Sequence, residues 1–270
     1  MTKFVPQQYW QKIHGKYPGL QAVGYVDLGE PFNFWMYRVR ARHFEKIIKK
    51  FAPKKNLKIL DLGSGTGFYA LLFLANGYQN ITGSDFSSQA IAKLKKIKGL
   101  KVKKIDLGLR QKAFPKYHLI TCFDVLYHLV DDRRYHQAFE NVGRMLCDNG
   151  YFLFSENPLP YGEFRSRHQV LRNQKTIYML LEKNQLQVVS RQPVFFLMNT
   201  PVLSRNPLLK AYWFWLLLIL SRLPQLGKIL GPLLYPLELA LGRLFSKGPS
   251  TEIIVAQKLP SDFIPKPPKF

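Results

Sequence analysis

The segment Asp61-Leu62-Gly63-Ser64-Gly65-Thr66-Gly67 constrains the chain more than any other. An apolar run, Leu57–Leu62, precedes it, and a helical pattern, Phe68–Asn76, follows it. Glycines let a backbone turn tightly and approach a ligand closely. A carboxylate at the end of a strand points into the crevice where open α/β sheets bind ligands. The spacing Gly-x-Gly-x-Gly with a leading acid differs from the Gly-x-Gly-x-x-Gly of nicotinamide dinucleotide loops. The loop alone therefore predicts an α/β fold with a nucleotide-like ligand and leaves several cofactors open.

Strands and helices alternate around this loop. Asn80–Ser84, Lys101–Ile105, His118–Phe123, Tyr151–Glu156 and Gln187–Phe196 read as strands. Ser87–Lys98, Asp132–Leu146 and Lys175–Asn184 read as helices. Such alternation predicts a doubly wound, mostly parallel sheet. Ahead of it, Tyr37, Ala41, Phe44, Ile48 and Phe51 recur at helical steps, so Phe34–Phe51 is expected to be an amphipathic helix. Residues 1–33 are too aromatic for a solvated tail and read as a lid or wrapping segment. Five segments follow: residues 1–56, lid and amphipathic helix; 57–200, the ligand-binding core; 201–248, an apolar helical insertion interrupted by Pro224, Gly227, Gly231, Pro232 and Pro236; 249–259, a closing strand; and 260–270, a proline-rich tail.

The loop resembles motif I of the class I S-adenosylmethionine (SAM)-dependent methyltransferases, and the resemblance runs from about residue 57 to 158. It implies a Rossmann-like sheet of seven strands, the last antiparallel, with Thr251–Gln257 as that strand. It implies SAM as cofactor, held by Asp61, Gly63, Ser64, Gly65 and Gly67. By the same resemblance Asp85, ending the second strand, takes the ribose hydroxyls, and a carboxylate can accept both. Asp106 stands where the family often has an acid near the adenine amino group, with Phe86 and Leu107 flanking the ring. The segment Phe123-Asp124-Val125-Leu126-Tyr127-His128-Leu129 stands where the family's fourth motif faces the methyl group. It is similar to the small-molecule branch that includes quinone-biosynthesis methyltransferases, and unlike the Asn/Asp-Pro-Pro-Tyr/Phe motif of many nucleic-acid enzymes. Phe123 and Asp124 are accordingly cofactor candidates.

SAM carries its own leaving group, so positioning supplies much of the acceleration. Removal of a proton from the acceptor remains, and His128 is the candidate base. A histidine packing the following helix is the plainer alternative. Glu156, Asn157, Arg165, Arg167 and His168 are expected near the pocket mouth, where two arginines could meet an anionic acceptor, although a solvated loop is the favoured reading. Trp35 and Tyr37 read as ordinary helix-to-core contacts.

The charge balance, 40 Lys+Arg against 17 Asp+Glu, speaks of partners rather than fold. Two cysteines exclude a disulfide framework, and no metal-ligand spacing is present, so no metal is expected. With no signal-type segment at Met1-Thr2-Lys3, a reduced, cytoplasmic setting is expected. Between Lys183 and Thr251 the only acid is Glu238, against eight Lys and Arg counted from Lys183 itself. Apolar helices flanked by basic residues suit an anionic membrane surface, which places the protein at the membrane's inner face. A cap over the acceptor or a dimer interface are the other readings of the insertion. The expected activity is methyl transfer to a hydrophobic or lipid-linked small molecule. An RNA methyltransferase and a non-catalytic SAM-fold subunit are the alternatives.

Overall fold

The computed structural model describes residues 6–17, 19–112 and 115–260. Its strands are β1 (Ile59–Leu62), β2 (Ile81–Asp85), β3 (Lys101–Lys104), β4 (Tyr117–Cys122), β5 (Leu146–Glu156), β6 (Phe164–Arg165), β7 (Val170–Leu171), β8 (Leu186–Pro193) and β9 (Glu252–Lys258). The helices are α1 (Pro6–Lys16), α2 (Gly29–Phe51), α3 (Phe68–Ala75), α4 (Ser88–Leu94), α5 (Asp132–Met145), α6 (Gln174–Lys183), α7 (Pro207–Arg222) and α8 (Gly227–Leu244). Seven strands form one sheet in the order β3-β2-β1-β4-β5-β9-β8. β9 runs antiparallel to both its neighbours, and the pairings from β3 to β5 are parallel. The expected doubly wound, seven-stranded sheet is therefore present, with a helical insertion before its last strand.

Successive strand residues point to opposite faces, and the sheet shows this in its two cores. Ile59, Leu119, Leu153, Ile253 and Val255 pack on one face against Phe44 and Ile48 of α2 and Phe73 of α3. Leu60, Ile120, Phe152, Ile254 and Ala256 pack on the other against Phe139 and Val142 of α5 and Leu180 of α6. At the open edge, β3 carries Lys101, Lys103 and Lys104 on a mostly exposed strand. Charged edge strands resist pairing with other chains.

Several boundaries differ from the sequence expectations. α2 begins at Gly29, five residues before Phe34, because Asn33 hydrogen-bonds the backbone of Tyr25 and Gly29 and ties the preceding turn to the helix. α4 stops at Leu94 rather than Lys98. The ribbon β6–β7 has two residues per strand, too few to show a period. In the insertion, only the segment around Pro224 breaks the helix. α8 runs through Gly231, Pro232 and Pro236 without interruption. Its glycines serve close packing on α2: a Cβ at Gly231 would lie 2.3 Å from Trp35, and one at Gly227 would lie 2.7 Å from the Phe32 nitrogen. Glu238, buried within α8, accepts the backbone N–H groups of Phe196, Leu197 and Met198. Beyond Pro260, the expected tail lies outside the described residues.

Candidate functional site

The loops after β1, β2, β3 and β4 converge at one edge of the sheet. There they enclose a cavity of about 780 Å³, within the range of small-molecule and cofactor sites. Gly63, Ser64, Gly65, Asp85, Phe86, Asp106, Leu107, Phe123, Asp124 and His128 all line it. Of the eleven cofactor candidates and the candidate base His128, ten thus meet around one space.

Asp61 and Gly67 do not reach the wall. Asp61 is buried behind the loop, where one carboxylate oxygen accepts from the Thr121 hydroxyl at 2.7 Å and the other has no hydrogen-bond partner among the described residues. Its carbonyl accepts the Ser64 and Ser84 hydroxyls. Burial pushes the Asp61 carboxyl up to about 6. Gly67 starts α3 with a φ of 86°, and a Cβ there would lie 2.4 Å from Ile97. Both residues shape the turn from behind, which chain position alone does not distinguish from contact.

Asp85 is buried and braced. Its two oxygens accept the N–H groups of Ser87 (2.8 Å) and Gly65 (3.1 Å). Burial raises its pKa against these hydrogen bonds. Asp106 is less free than expected, since Arg134 of α5 sits 2.6 and 2.9 Å from its two oxygens. The Gly108 nitrogen also donates to it, at 3.1 Å. Arg134 lines the cavity too and carried no signal in the sequence.

Asp124 adopts a left-handed φ of 58°. Its carboxylate pairs with Arg40 at 2.6 Å and accepts the hydroxyls of Tyr127 (2.9 Å) and Ser155 (3.1 Å). Burial works against the Arg40 cation, but Asp124 holds it firmly charged. Arg40 also lies over the rings of Tyr37 and Phe195. His128 is neutral, its pKa lowered to about 4 by burial. Nδ1 lies 2.9 Å from the His168 carbonyl. A carbonyl only accepts, so the neutral ring carries its proton on Nδ1 and leaves Nε2 as an acceptor. The indole of Trp10 meets the ring edge-on at 4.8 Å.

Beyond the glycine loop the wall is aromatic and apolar, formed by Pro6, Trp10, Val23, Tyr37, Phe68 and Tyr69. Tyr37, expected as a core contact, is a wall residue whose hydroxyl donates to the Val23 carbonyl at 2.9 Å. Helical periodicity identifies a buried face but not which part of it borders a cavity. Tyr69 stacks on Phe123 at 4.2 Å. Trp35 instead packs against Tyr235 of the insertion. None of Glu156, Asn157, Arg165, Arg167 and His168, expected near the mouth, lines the cavity. Glu156 is buried against Tyr135, burial lifting it to about 7. Asn157 bonds Thr251. Arg165 is bound to Asp132 and Glu163, and Arg167 is exposed. His168 stacks on the ring of Tyr9. No residue of α7 or α8 lines the cavity.

A family model described as a methyltransferase domain matches residues 36–191. Solved structures of similar fold include the [4+2]-cyclase SpnF, 13% identical over 81% of this chain and 80% of that one, with a TM-score of 0.57. A SAM-dependent methyltransferase from Methanosarcina mazei is 15% identical over 79% and 97%, with a TM-score of 0.53. Magnesium protoporphyrin IX methyltransferase (ChlM) from Synechocystis PCC 6803, solved with bound S-adenosylhomocysteine, is 12% identical over 93% of each chain, at 0.52. No curated protein matches the sequence.

Proposed function

Since this chain belongs to the methyltransferase-domain family and is a SAM-dependent enzyme, we propose that it methylates a hydrophobic, lipid-like small molecule held at the aromatic end of the cavity. The observation that carries this reading is the contrast between the wall and the rest of the surface. The chain has a formal charge of +23, yet Asp85, Asp106, Asp124 and Asp131 line its cavity; Arg134 and Arg40 pair with Asp106 and Asp124, which leaves Asp85 and Asp131 without an ion-paired cation among the described residues. An acidic wall suits a cationic cofactor and repels polyanions, which disfavours RNA as the acceptor. The aromatic end, from Pro6 and Trp10 to Tyr37 and Tyr69, suits an apolar acceptor.

SAM supplies an electrophilic methyl group on a sulfonium that leaves as a neutral thioether. The cradle fits it: Gly63 and Gly65 hold positive φ angles of 69° and 53°, which keeps side chains off the loop. Asp85 would take the ribose hydroxyls, with Phe86 and Leu107 beside the adenine. Asp106, already held by Arg134, would lie near the adenine amino group. Phe123 and Asp124 would sit nearest the methyl group, with Arg40 holding Asp124 in place. His128 would accept the acceptor's proton on Nε2, because its Nδ1 is committed to the His168 carbonyl.

Purified protein with methyl-tritiated SAM is expected to transfer label to an organic-extractable product when given a membrane lipid extract, and not to RNA. Label appearing in RNA alone would replace the acceptor class. Burial keeps His128 neutral down to about pH 4. A base must be neutral to act, so its contribution should be flat above about pH 5 and fall only as the pH drops through that value. His128→Asn is expected to lower kcat by about 10²-fold or more with SAM affinity unchanged. Equal kcat in the two proteins at every pH would remove the base role.

A further inference from the structure

We propose that the outward faces of α7 and α8 form a docking surface for an anionic lipid bilayer. A globular protein's surface helix carries an apolar stripe towards the core and polar residues outward. α7 does not. Trp213, Leu216 and Leu220 face the core, while Leu208, Phe214, Trp215 and Ile219 are exposed, Phe214 and Trp215 at 58% each. α8 repeats the pattern. Ile229, Leu233, Leu237, Ala240 and Leu244 recur at helical steps along its solvent side, Leu233 being 61% exposed. Apolar patches of this extent mark an interaction surface.

Charge selects the partner. Every basic residue of the segment, Arg205, Lys210, Arg222, Lys228, Arg243 and Lys247, is exposed. Its one acid, Glu238, is buried and bound to backbone N–H groups. Every charged side chain that this segment shows to solvent is thus cationic, beside its exposed apolar residues. That combination fits anionic headgroups above acyl chains, and Trp215 suits the headgroup depth. A second copy of the chain would bring six like charges against six.

Length selects the mode. At 1.5 Å per residue, helices of 16 and 18 residues reach about 24 and 27 Å, short of a bilayer core of about 30 Å. Among the described residues no single helix is long and apolar enough to cross a membrane, and the two helices meet at a bend of 115°. The pair is suited to lying in the interface. Its underside reaches towards the cavity, because Trp213 packs on Tyr25 at 5.7 Å, two residues from the wall residue Val23. Docking through this face does not depend on the identity of the methyl acceptor.

The test is flotation of the full chain with phosphatidylcholine vesicles and with vesicles containing phosphatidylglycerol, at low and high salt. Wild type is expected to float with the anionic vesicles, weakly with the neutral ones, and less at high salt. The triple variant Trp215→Ser, Leu233→Ser, Leu237→Ser changes only exposed side chains. It should bind anionic vesicles about tenfold or more weakly, with thermal unfolding and SAM affinity unchanged. The proposal is overturned by wild type that does not float, or by a variant that floats equally well. It is also overturned if the triple substitution abolishes a dimer seen by sedimentation velocity, or abolishes RNA binding, while leaving flotation intact.

Discussion

Replacing Asp85 with alanine is expected to weaken SAM binding by about 10²- to 10³-fold. A hydrogen bond to a charged group contributes roughly 1.5–3 kcal/mol, and two ribose hydroxyls would be lost together. The substitution also removes the acceptors for the Gly65 and Ser87 N–H groups, which tie the glycine loop to the end of β2. Asp85→Asn separates the two effects. The amide keeps one oxygen, but its NH₂ would face an N–H donor, so its affinity should fall between those of wild type and Asp85→Ala. Isothermal titration on proteins with matching circular dichroism measures both. A loss below about threefold for Asp85→Ala would remove Asp85 from the cofactor site.

The second large effect concerns stability. Arg40→Leu is expected to destabilise the fold by about 3–5 kcal/mol, because Asp124 would remain buried as an uncompensated charge. The pair is closely made, 2.6 Å apart with side chains 9% and 12% exposed. The double variant Arg40→Leu, Asp124→Asn should recover much of that loss. Asparagine tolerates the left-handed backbone that position 124 adopts, and it can keep the bonds from Tyr127 and Ser155. Chemical denaturation of the four proteins gives the coupling directly. Strongly non-additive losses are expected, because the pair forms one unit in which Arg40 positions the carboxylate at the mouth of the fourth strand. Additive losses would mean that Arg40 and Asp124 act independently.

Asp85 and Arg40 differ in how far the sequence reveals them. Asp85 was readable through the family resemblance, whose features here are local: a strand, an acid at its end, and a helical pattern starting at Ser87. The same holds for the glycine loop and the alternation of elements, since period and turn chemistry act over a few residues. Trp10 falls in the aromatic segment read as a lid, but Arg40 and Arg134 were not readable. Each earns its place through partners far along the chain, as Arg134 meets Asp106 and Arg40 meets Asp124. Tyr37 was visible as a buried helical position, but periodicity does not tell a core from a cavity wall. Asp61 and Gly67 show the converse limit, since they belong to the motif and still act from behind the loop. In the insertion, Pro232 and Pro236 suggested breaks. Packing on α2 through Gly227 and Gly231, together with Glu238 bonding the backbone at 196–198, holds α8 as one helix.

Titration of the folded wild-type protein with SAM shows whether this cavity is the cofactor site. Binding of one SAM per chain is expected, with competition by S-adenosylhomocysteine and none by NAD. A well-folded protein that releases no heat and shows no competition across the accessible concentration range would contradict that assignment.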